Sequence, residues 1–177
     1  MSGQPDRGAV VIITGPPGAG KTTVGGLLAG LLGVGYTDTD VAIEAVAGKP
    51  VGDIFVEDGE AAFRALERIV AERALHYPGV VALGSGAVLD EQIRDRLAGQ
   101  PVVYLEAGFT EIAKRTGLNR PRIPVPGNPR GRMRALLEER LPVYEGVARL
   151  TVPTGELSPH EAAGRIAAEL AAGESGR

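Results

Sequence analysis

The chain has 177 residues, enough for one ordinary domain that buries its own core, and we predict a single domain over residues 1–177 with its core at about 9–171. It has no cysteine and 2 histidines, which excludes disulfides and cysteine nucleophiles and argues against a metal site built on thiolate or imidazole. A net charge of −3 and 4% aromatic residues give no sign of a nucleic-acid or membrane partner, and because no apolar run approaches about 20 residues we expect a cytoplasmic protein.

The first predicted element is a strand at residues 9–14, which leads into a phosphate-binding loop. Residues 15–22 read Gly-Pro-Pro-Gly-Ala-Gly-Lys-Thr, a complete G-x-x-x-x-G-K-[ST] motif, and a helix to about residue 32 follows. Glycines stand where the backbone must turn tightly around phosphate oxygens, at Gly15, Gly18 and Gly20. Lys21 is predicted to reach the terminal phosphates, and the hydroxyl of Thr22 to bind Mg²⁺. The alternative is a glycine-rich turn with a solvated lysine, which leaves the order of strand, loop and helix unexplained.

Strand-like and helical stretches then alternate along the chain. Strands are predicted at residues 36–39, 79–83, 101–105 and 148–152, and helices at 41–47, 52–56, 60–75, 90–97, 110–116, 132–144 and 158–171. This alternation predicts a three-layer α/β fold, a parallel sheet with helices on both faces. A Ser-x-x-Glu capping box, Ser158 with Glu161, opens the last helix. One side of helix 60–75 carries an apolar set, Phe63, Leu66, Ile69 and Val70.

Polar residues follow two of the predicted strands. Asp38 and Asp40 end the second strand, and residues 84–87 follow the third. Because ligands of such sheets bind beyond the carboxyl ends of the strands, we expect both groups near Lys21. One carboxylate near Mg²⁺ and one near an acceptor hydroxyl is what a kinase requires, although Asp40 is also a candidate cap for a helix starting at residue 41. Residues 84–86, Gly-Ser-Gly, form either a plain turn or a cradle of backbone amides for a small ligand.

Arg64 and Glu67 stand three residues apart in the predicted helix 60–75. The pair has two interpretations. The simpler is a surface ion pair worth well under about 1 kcal/mol. The other is an arginine directed at an anionic acceptor and oriented by the glutamate.

An irregular segment at 117–131 contains four prolines and three arginines. A compact domain rarely carries so long a loop without a use for it, so we predict a lid.

Together these residues resemble the shikimate kinases, a nucleoside-monophosphate-kinase-like family. The resemblance covers about residues 9–170, and the order and spacing of its motifs are specific. The motifs are the phosphate loop 15–22, Asp38-Thr39-Asp40, Asp53-Ile54-Phe55, Gly59-Glu60 with Phe63-Arg64, Gly84–Ala87, Arg115-Thr116-Gly117, and Arg140 with Pro142 and Tyr144. The resemblance implies the sheet order 2-3-1-4-5, a lid at 117–131 and acceptor-binding helices at 40–76.

The resemblance also implies a reaction: transfer of the ATP γ-phosphate to the 3-hydroxyl of shikimate, in aromatic amino-acid biosynthesis. It implies ATP as co-substrate, one Mg²⁺ per subunit and a monomer. Nucleotide binding is assigned to Gly18, Ala19, Gly20, Lys21, Thr22, Thr23, Arg115, which lies against adenine, and Arg122. Shikimate binding is assigned to Asp40, Arg64, Gly84, Ser85, Gly86 and Arg140. Metal binding is assigned to Thr22 and Asp38, and catalysis is assigned to Lys21, Asp40 and Arg122. Phe55 and Phe63 are expected to line the acceptor pocket. Glu67 is expected to position Arg64.

The chain departs from the family pattern at two places. Ser85 stands where the family usually has the middle glycine of Gly-Gly-Gly; if that position needs a positive φ, the serine is strained by about 1 kcal/mol or more. In the lid, the Arg-Pro-Leu-Leu pattern is replaced by residues 119–126, so Arg120 and Arg122 compete for the role of reaching the transferring phosphate. We prefer Arg122 on spacing, whereas Arg120 keeps the Arg-Pro pair.

Two other functions remain open from the sequence. One is a kinase for another small hydroxylated acid such as gluconate, because Ser85 and the lid alter the acceptor side. The other is a nucleotide-binding protein without acceptor chemistry. A nucleoside monophosphate kinase fits less well, since Asp40, Arg64 and Arg140 suit a carboxylated, hydroxylated ring.

Overall fold

Five parallel strands form the sheet at the centre of the fold. The computed structural model describes residues 9–118 and 127–174. Its strands are β1 Val11–Thr14, β2 Gly35–Asp38, β3 Gly79–Ala82, β4 Val102–Glu106 and β5 Leu150–Pro153. Their order is β2-β3-β1-β4-β5, and all four pairings are parallel. The predicted order is confirmed, and it brings the carboxyl ends of β1, β2 and β3 together at one edge.

Helices cover both faces of this sheet. They are α1 Lys21–Leu32, α2 Thr39–Ala47, α3 Val51–Glu57, α4 Glu60–Ala74, α5 Glu91–Leu97, α6 Phe109–Arg115, α7 Pro129–Val147 and α8 Pro159–Glu174, with a 3₁₀ turn at Ala87–Leu89. One core cluster joins the sheet to α1 and α8, and a second joins its other face to α4, α5 and α7. The predicted three-layer arrangement is therefore confirmed. Within the described residues, no helix is long and apolar enough to span a bilayer.

The small helices α2 and α3 pack with α4 around a core of their own, formed by Ile43, Ile54, Phe63 and Val70. The predicted apolar side of α4 is wrong at one residue, because Ile69 is 49% exposed. At about 100° per residue, Ile69 points roughly 120° away from Phe63, whereas Val70 returns to nearly the same direction. This cluster supports the segment that carries Arg64 and Glu67.

The ends of two helices bear on the predictions. The Ser158 and Glu161 capping box is confirmed: Ser158 N–H donates to Glu161 Oε2 at 2.7 Å and Glu161 N–H donates to Ser158 Oγ at 3.3 Å. The predicted irregular segment 117–131 ends too late, because α7 begins at Pro129 after an Asn128 cap that accepts from Gly131 N–H at 2.8 Å. Proline suits the first turn of a helix, where its missing N–H costs nothing. Residues 119–126, with Arg120 and Arg122, lie outside the described residues.

Candidate active site

The phosphate-binding loop links the end of β1 to the start of α1. Its glycines have φ values that other residues rarely adopt, 150° at Gly15, 78° at Gly18 and 96° at Gly20, which confirms the reason for their predicted positions. Gly20 precedes α1 without a side-chain cap, so N–H groups of the first turn remain available to an anion. Lys21 Nζ donates to the carbonyl oxygens of Gly15 at 2.9 Å and Pro16 at 3.0 Å. The loop thus holds its own lysine in a folded-back position.

Asp38, at the end of β2, faces Thr22 across the gap between β2 and α1. Thr22 Oγ1 donates to Asp38 Oδ2 at 2.8 Å. The other oxygen, Oδ1, accepts from the N–H groups of Asp40 at 2.9 Å and Val41 at 3.4 Å. Asp38 is therefore the cap of α2, and the alternative in which Asp40 caps a helix starting at residue 41 is wrong because α2 begins at Thr39.

Asp40 is thereby free to serve the site, and it shares an electrostatic environment with Lys21. Burial lowers the pKa of Lys21 to about 8, and the charges of Asp40 and Asp38 partly oppose that shift. Partial burial of the carboxyl group raises the pKa of Asp40, the Asp38 charge adds to the rise, and Lys21 opposes it. Lys21 and Asp40 thus influence each other's protonation at the end of the sheet.

Arg64 and Glu67 form more than a surface ion pair. Arg64 Nη1 donates to Glu67 Oε2 at 2.6 Å, and the Glu67 side chain is only 4% exposed. The guanidinium also lies over two aromatic rings, with Cζ 5.3 Å from the ring centre of Phe63 and 5.8 Å from that of Phe55. These contacts support the interpretation in which the arginine is held in a chosen direction.

The loop after β3 packs tightly between these side chains. A Cβ atom added to Gly84 would lie 2.6 Å from Asp40 Oδ1 and 3.0 Å from Glu67 Oε1, and one added to Gly86 would collide with Arg64 Nη1. Neither glycine has a positive φ, so each is needed for space and not for its backbone freedom. The positive-φ residues among those described are all glycines, so the condition under which Ser85 would be strained is not met.

Helix α7 reaches the same loop from the other side. Tyr144 donates its hydroxyl to the Ser85 carbonyl at 2.7 Å, and Arg140 Nη1 donates to the same oxygen at 3.4 Å. Thr39 Oγ1 accepts from Gly84 N–H at 2.8 Å, which joins the loop to the start of α2. Sequence reasoning assigned no role to Thr39 and used Tyr144 only as part of a motif shared with the family, although both residues lie within the motifs that it used.

A separate cavity of ≈ 240 Å³ lies beside the phosphate loop. Its lining includes four of the predicted nucleotide-binding residues, Ala19, Gly20, Thr23 and Arg115. Arg115 donates to the carbonyl oxygens of Gly18 at 3.2 Å, Ala19 at 3.3 Å and Thr154 at 2.8 Å. Sequence reasoning assigned no role to the rest of the lining, which is Val24, Thr154, Leu157, Pro159 and Ala162. Thr154 directly follows β5, at the same edge of the sheet, and this position is the signal that could have identified it.

The described site residues therefore converge on one edge of the sheet, with a phosphate loop, a carboxylate pair and two arginines flanking a glycine loop. This fold and this site define a P-loop kinase of the class that acts on small molecules.

Comparisons with known proteins identify the family within that class. The family model described as shikimate kinase matches residues 17–171. A shikimate kinase of Thermobifida fusca is 58% identical over 97% of this chain and 98% of its own length, and one of Salinispora arenicola is 49% identical over 92% and 98%. The solved shikimate kinase from Acinetobacter baumannii in complex with shikimate matches with a TM-score of 0.85 and 34% identity, covering 94% of each chain. The chain belongs to the shikimate kinase family.

Proposed function

We propose that the protein transfers the γ-phosphoryl group of ATP to the 3-hydroxyl of shikimate, giving shikimate 3-phosphate and ADP for aromatic amino-acid biosynthesis. The observation that carries the proposal is the pair of guanidinium groups beside the loop 84–86. Arg64 lies against Gly86 and Arg140 donates to the Ser85 carbonyl, with the carboxylate of Asp40 against Gly84. A ring that bears one carboxylate and several hydroxyls matches this set of charges.

On the donor side, the backbone of the phosphate loop and Lys21 hold the ATP phosphates. Residues 18–23 supply the N–H groups, and Lys21 exchanges its two carbonyl acceptors for phosphate oxygens, whose negative charge stabilises its ammonium form. Arg115 and the ≈ 240 Å³ cavity receive the adenine ring. An arginine guanidinium packs well against the face of such a ring.

We assign one Mg²⁺ per subunit to Thr22 and Asp38. Their oxygen atoms face each other at 2.8 Å and are of the kind that magnesium prefers. The described residues contain no group of three or more His, Cys, Asp or Glu side chains that could hold a metal, which suits an ion completed by nucleotide phosphates and water. When bound, the ion neutralises charge on the β- and γ-phosphates.

On the acceptor side, Arg64 and Arg140 hold the carboxylate, and Gly84, Ser85 and Gly86 present backbone to the ring. Asp40 accepts a hydrogen bond from the reacting hydroxyl. Its raised pKa makes it a stronger proton acceptor. Because phosphoryl transfer has a loose transition state, alignment of donor and acceptor and neutralisation of charge account for most of the catalysis.

A lid arginine completes the charge neutralisation, and we assign this role to Arg122 in preference to Arg120. Replacing each by alanine separates them, because the residue that reaches the transferring phosphate lowers kcat by on the order of 10³ when lost. A larger kcat loss in Arg120→Ala than in Arg122→Ala would reverse the assignment.

We also propose a cytoplasmic monomer. The absence of cysteine suits a reducing compartment, and the described donor and acceptor residues meet at one sheet edge, so the proposed site needs no residue from a second chain. Light scattering at assay concentration tests the oligomeric state, and a dimer mass would contradict the proposal.

The activity is tested by coupled assay of ADP release with ATP, Mg²⁺ and shikimate, run beside gluconate and a no-acceptor control. We expect rapid turnover on shikimate alone, product phosphorylated at the 3-hydroxyl by NMR, and loss of turnover in Lys21→Ala. Turnover on gluconate instead would identify a different small-molecule kinase. Calorimetric ATP binding without turnover on either acceptor would indicate a non-catalytic nucleotide-binding protein.

A further inference from the structure

Tyr36 lies on β2 two residues before Asp38, and its hydroxyl reaches the same carboxylate oxygen that faces Thr22. The phenol oxygen is 3.2 Å from Asp38 Oδ2 and 3.2 Å from the carbonyl oxygen of Thr22, so its single proton is shared between two acceptors. It therefore links the end of β2 to the first turn of α1. Neither the family resemblance nor the assigned reaction gives this residue a role.

The Asp38 carboxylate is held from three directions. Backbone N–H groups at the start of α2 bind Oδ1, while Thr22 Oγ1 and the Tyr36 hydroxyl both lie against Oδ2. If Thr22 turns toward another partner, the phenol remains the side-chain donor that restrains Oδ2 among the described residues. Partners of this kind orient a ligand without touching the bound group.

An independent observation comes from Gly25 on α1. A Cβ atom at Gly25 would lie 2.6 Å from Tyr36 Cε2 and 3.3 Å from Cζ and Oη, so the ring occupies the space that a side chain would fill. The next glycines along the same helix differ, because Gly26 and Gly30 have nothing within 4 Å of an added Cβ. Glycine destabilises the interior of a helix, but the absence of a side chain at Gly25 makes room for the Tyr36 ring.

We propose that Tyr36 is a positioning residue for the Asp38 carboxylate, seated in a notch that Gly25 provides, and that it tunes the affinity of the site for a divalent cation bound with a nucleotide. This inference rests on the proposed assignment of Thr22 and Asp38 to Mg²⁺. Tyr36 contacts Asp38 and Thr22, and neither the substrate nor the metal is assigned to it. Its effect on cation binding is exerted through the orientation of the Asp38 carboxylate.

The test is calorimetric ADP binding to the full chain with and without Mg²⁺, which needs no turnover. The readout is the ratio of the ADP dissociation constant without Mg²⁺ to that with Mg²⁺. Tyr36→Phe keeps the ring in the notch and removes only the hydroxyl. We expect it to lower this ratio about tenfold while the dissociation constant without Mg²⁺ stays within about twofold.

Two glycine variants form a matched pair. Gly25→Ala displaces the ring and should lower the Mg²⁺ ratio as Tyr36→Phe does, whereas Gly26→Ala adds the same methyl group to open space and should leave the ratio unchanged. A Tyr36→Phe protein that keeps the wild-type ratio overturns the proposal, whatever Gly25→Ala does, because the ring then serves packing alone.

Asp38→Asn distinguishes failure of this inference from failure of the metal assignment. If Asp38→Asn lowers the Mg²⁺ ratio and Tyr36→Phe does not, the inference about Tyr36 is wrong and the metal assignment stands. If Asp38→Asn leaves the ratio unchanged, the metal assignment itself is wrong, and the inference falls with it.

Discussion

Arg64 and Glu67 form a hydrogen-bonded ion pair in which the carboxylate is the buried partner. The distance from Arg64 Nη1 to Glu67 Oε2 is 2.6 Å, and the side chains are 31% and 4% exposed. A second carboxylate, Glu60, lies 3.6 Å from Arg64 Nε and is 71% exposed. Burial raises the pKa of Glu67, while the hydrogen bond and charge of Arg64 oppose the rise. Glu67, and not Glu60, therefore fixes the direction of the guanidinium.

The first prediction compares Glu67→Gln with Glu60→Gln. Glu67→Gln keeps the shape but removes the charge, so we expect the KM for shikimate to rise about tenfold, since a hydrogen bond to a charged group contributes about 1.5–3 kcal/mol. The KM for ATP should stay within about twofold. Steady-state kinetics with each substrate varied in turn measures both.

Glu60→Gln is the matched control because it removes the exposed partner of the same arginine. Exposed pairs contribute about 0.2–1 kcal/mol, so its shikimate KM should change by about fivefold at most. Equal effects of the two variants would mean that charge near Arg64, and not the buried hydrogen bond, sets its direction.

Lys21 leads to a prediction about stability. Its pKa falls from the ordinary 10.5 to about 8 in the folded protein. Between these values the unfolded chain binds more protons than the folded one, so wild-type stability should rise with pH across that interval. Below pH 8 the folded state bears the cost of a desolvated ammonium group. Lys21→Met should therefore be inactive yet more stable at pH 7, by about 1 kcal/mol after allowance for solvent screening.

Urea unfolding of both proteins at pH 7 and near pH 10 measures this effect. The stability advantage of Lys21→Met should shrink at the higher pH, because the wild-type lysine is then neutral in the folded state. Lys114→Met, on the exposed side of α6, is the control and should show no advantage at either pH. An Lys21→Met protein less stable than wild type at pH 7 would show that the two Nζ hydrogen bonds outweigh the desolvation.

The sequence predicted best what lies within one contiguous segment. The phosphate loop, from Gly15 to Thr22, contains strand end, turn and helix start in eight residues, so its geometry follows from local chemistry. The sheet-edge rule then placed Asp38 and Gly84 near it. The residue that caps α2 was difficult to predict, because a two-residue error in the predicted helix start replaces Asp38 with Asp40 as the cap.

Contacts between distant segments could not be predicted in this way. Tyr144 binds the carbonyl of Ser85, 59 positions away, and Thr154 Oγ1 donates to Ala19, 135 positions away. A single sequence does not show which residues of two such distant segments come into contact. Whether Ser85 needs a positive φ stayed open from the sequence for a related reason, since φ at that position is set by how the loop packs between α4 and α7.

Ser85→Gly tests whether the serine limits acceptor binding. Because Ser85 has no positive φ, glycine relieves no strain there, and we expect the shikimate KM to change by less than about twofold. The free energy of unfolding should fall by about 0.5–1 kcal/mol, since glycine gives the unfolded chain more freedom. Enzyme kinetics and urea titration check the two expectations. A shikimate KM lowered tenfold would mean that the serine side chain crowds the ligand.

Tyr144→Phe tests the support of the glycine loop from α7. The ring is 1% exposed and stacks on Tyr104 with centroids 5.3 Å apart, so phenylalanine should keep the packing and lose only the 2.7 Å bond to Ser85. Arg140 is then the remaining side-chain donor to that carbonyl among the described residues. We expect the shikimate KM to rise about threefold to tenfold with the ATP KM unchanged, and the free energy of unfolding to fall by about 1 kcal/mol.

Tyr104→Phe is the matched control, because it removes a hydroxyl from the same stacked pair without touching Ser85. Similar shikimate KM increases in both variants would assign the effect to the packing of the aromatic pair, while an increase confined to Tyr144→Phe would show that α7 sets the position of the acceptor loop through this hydrogen bond.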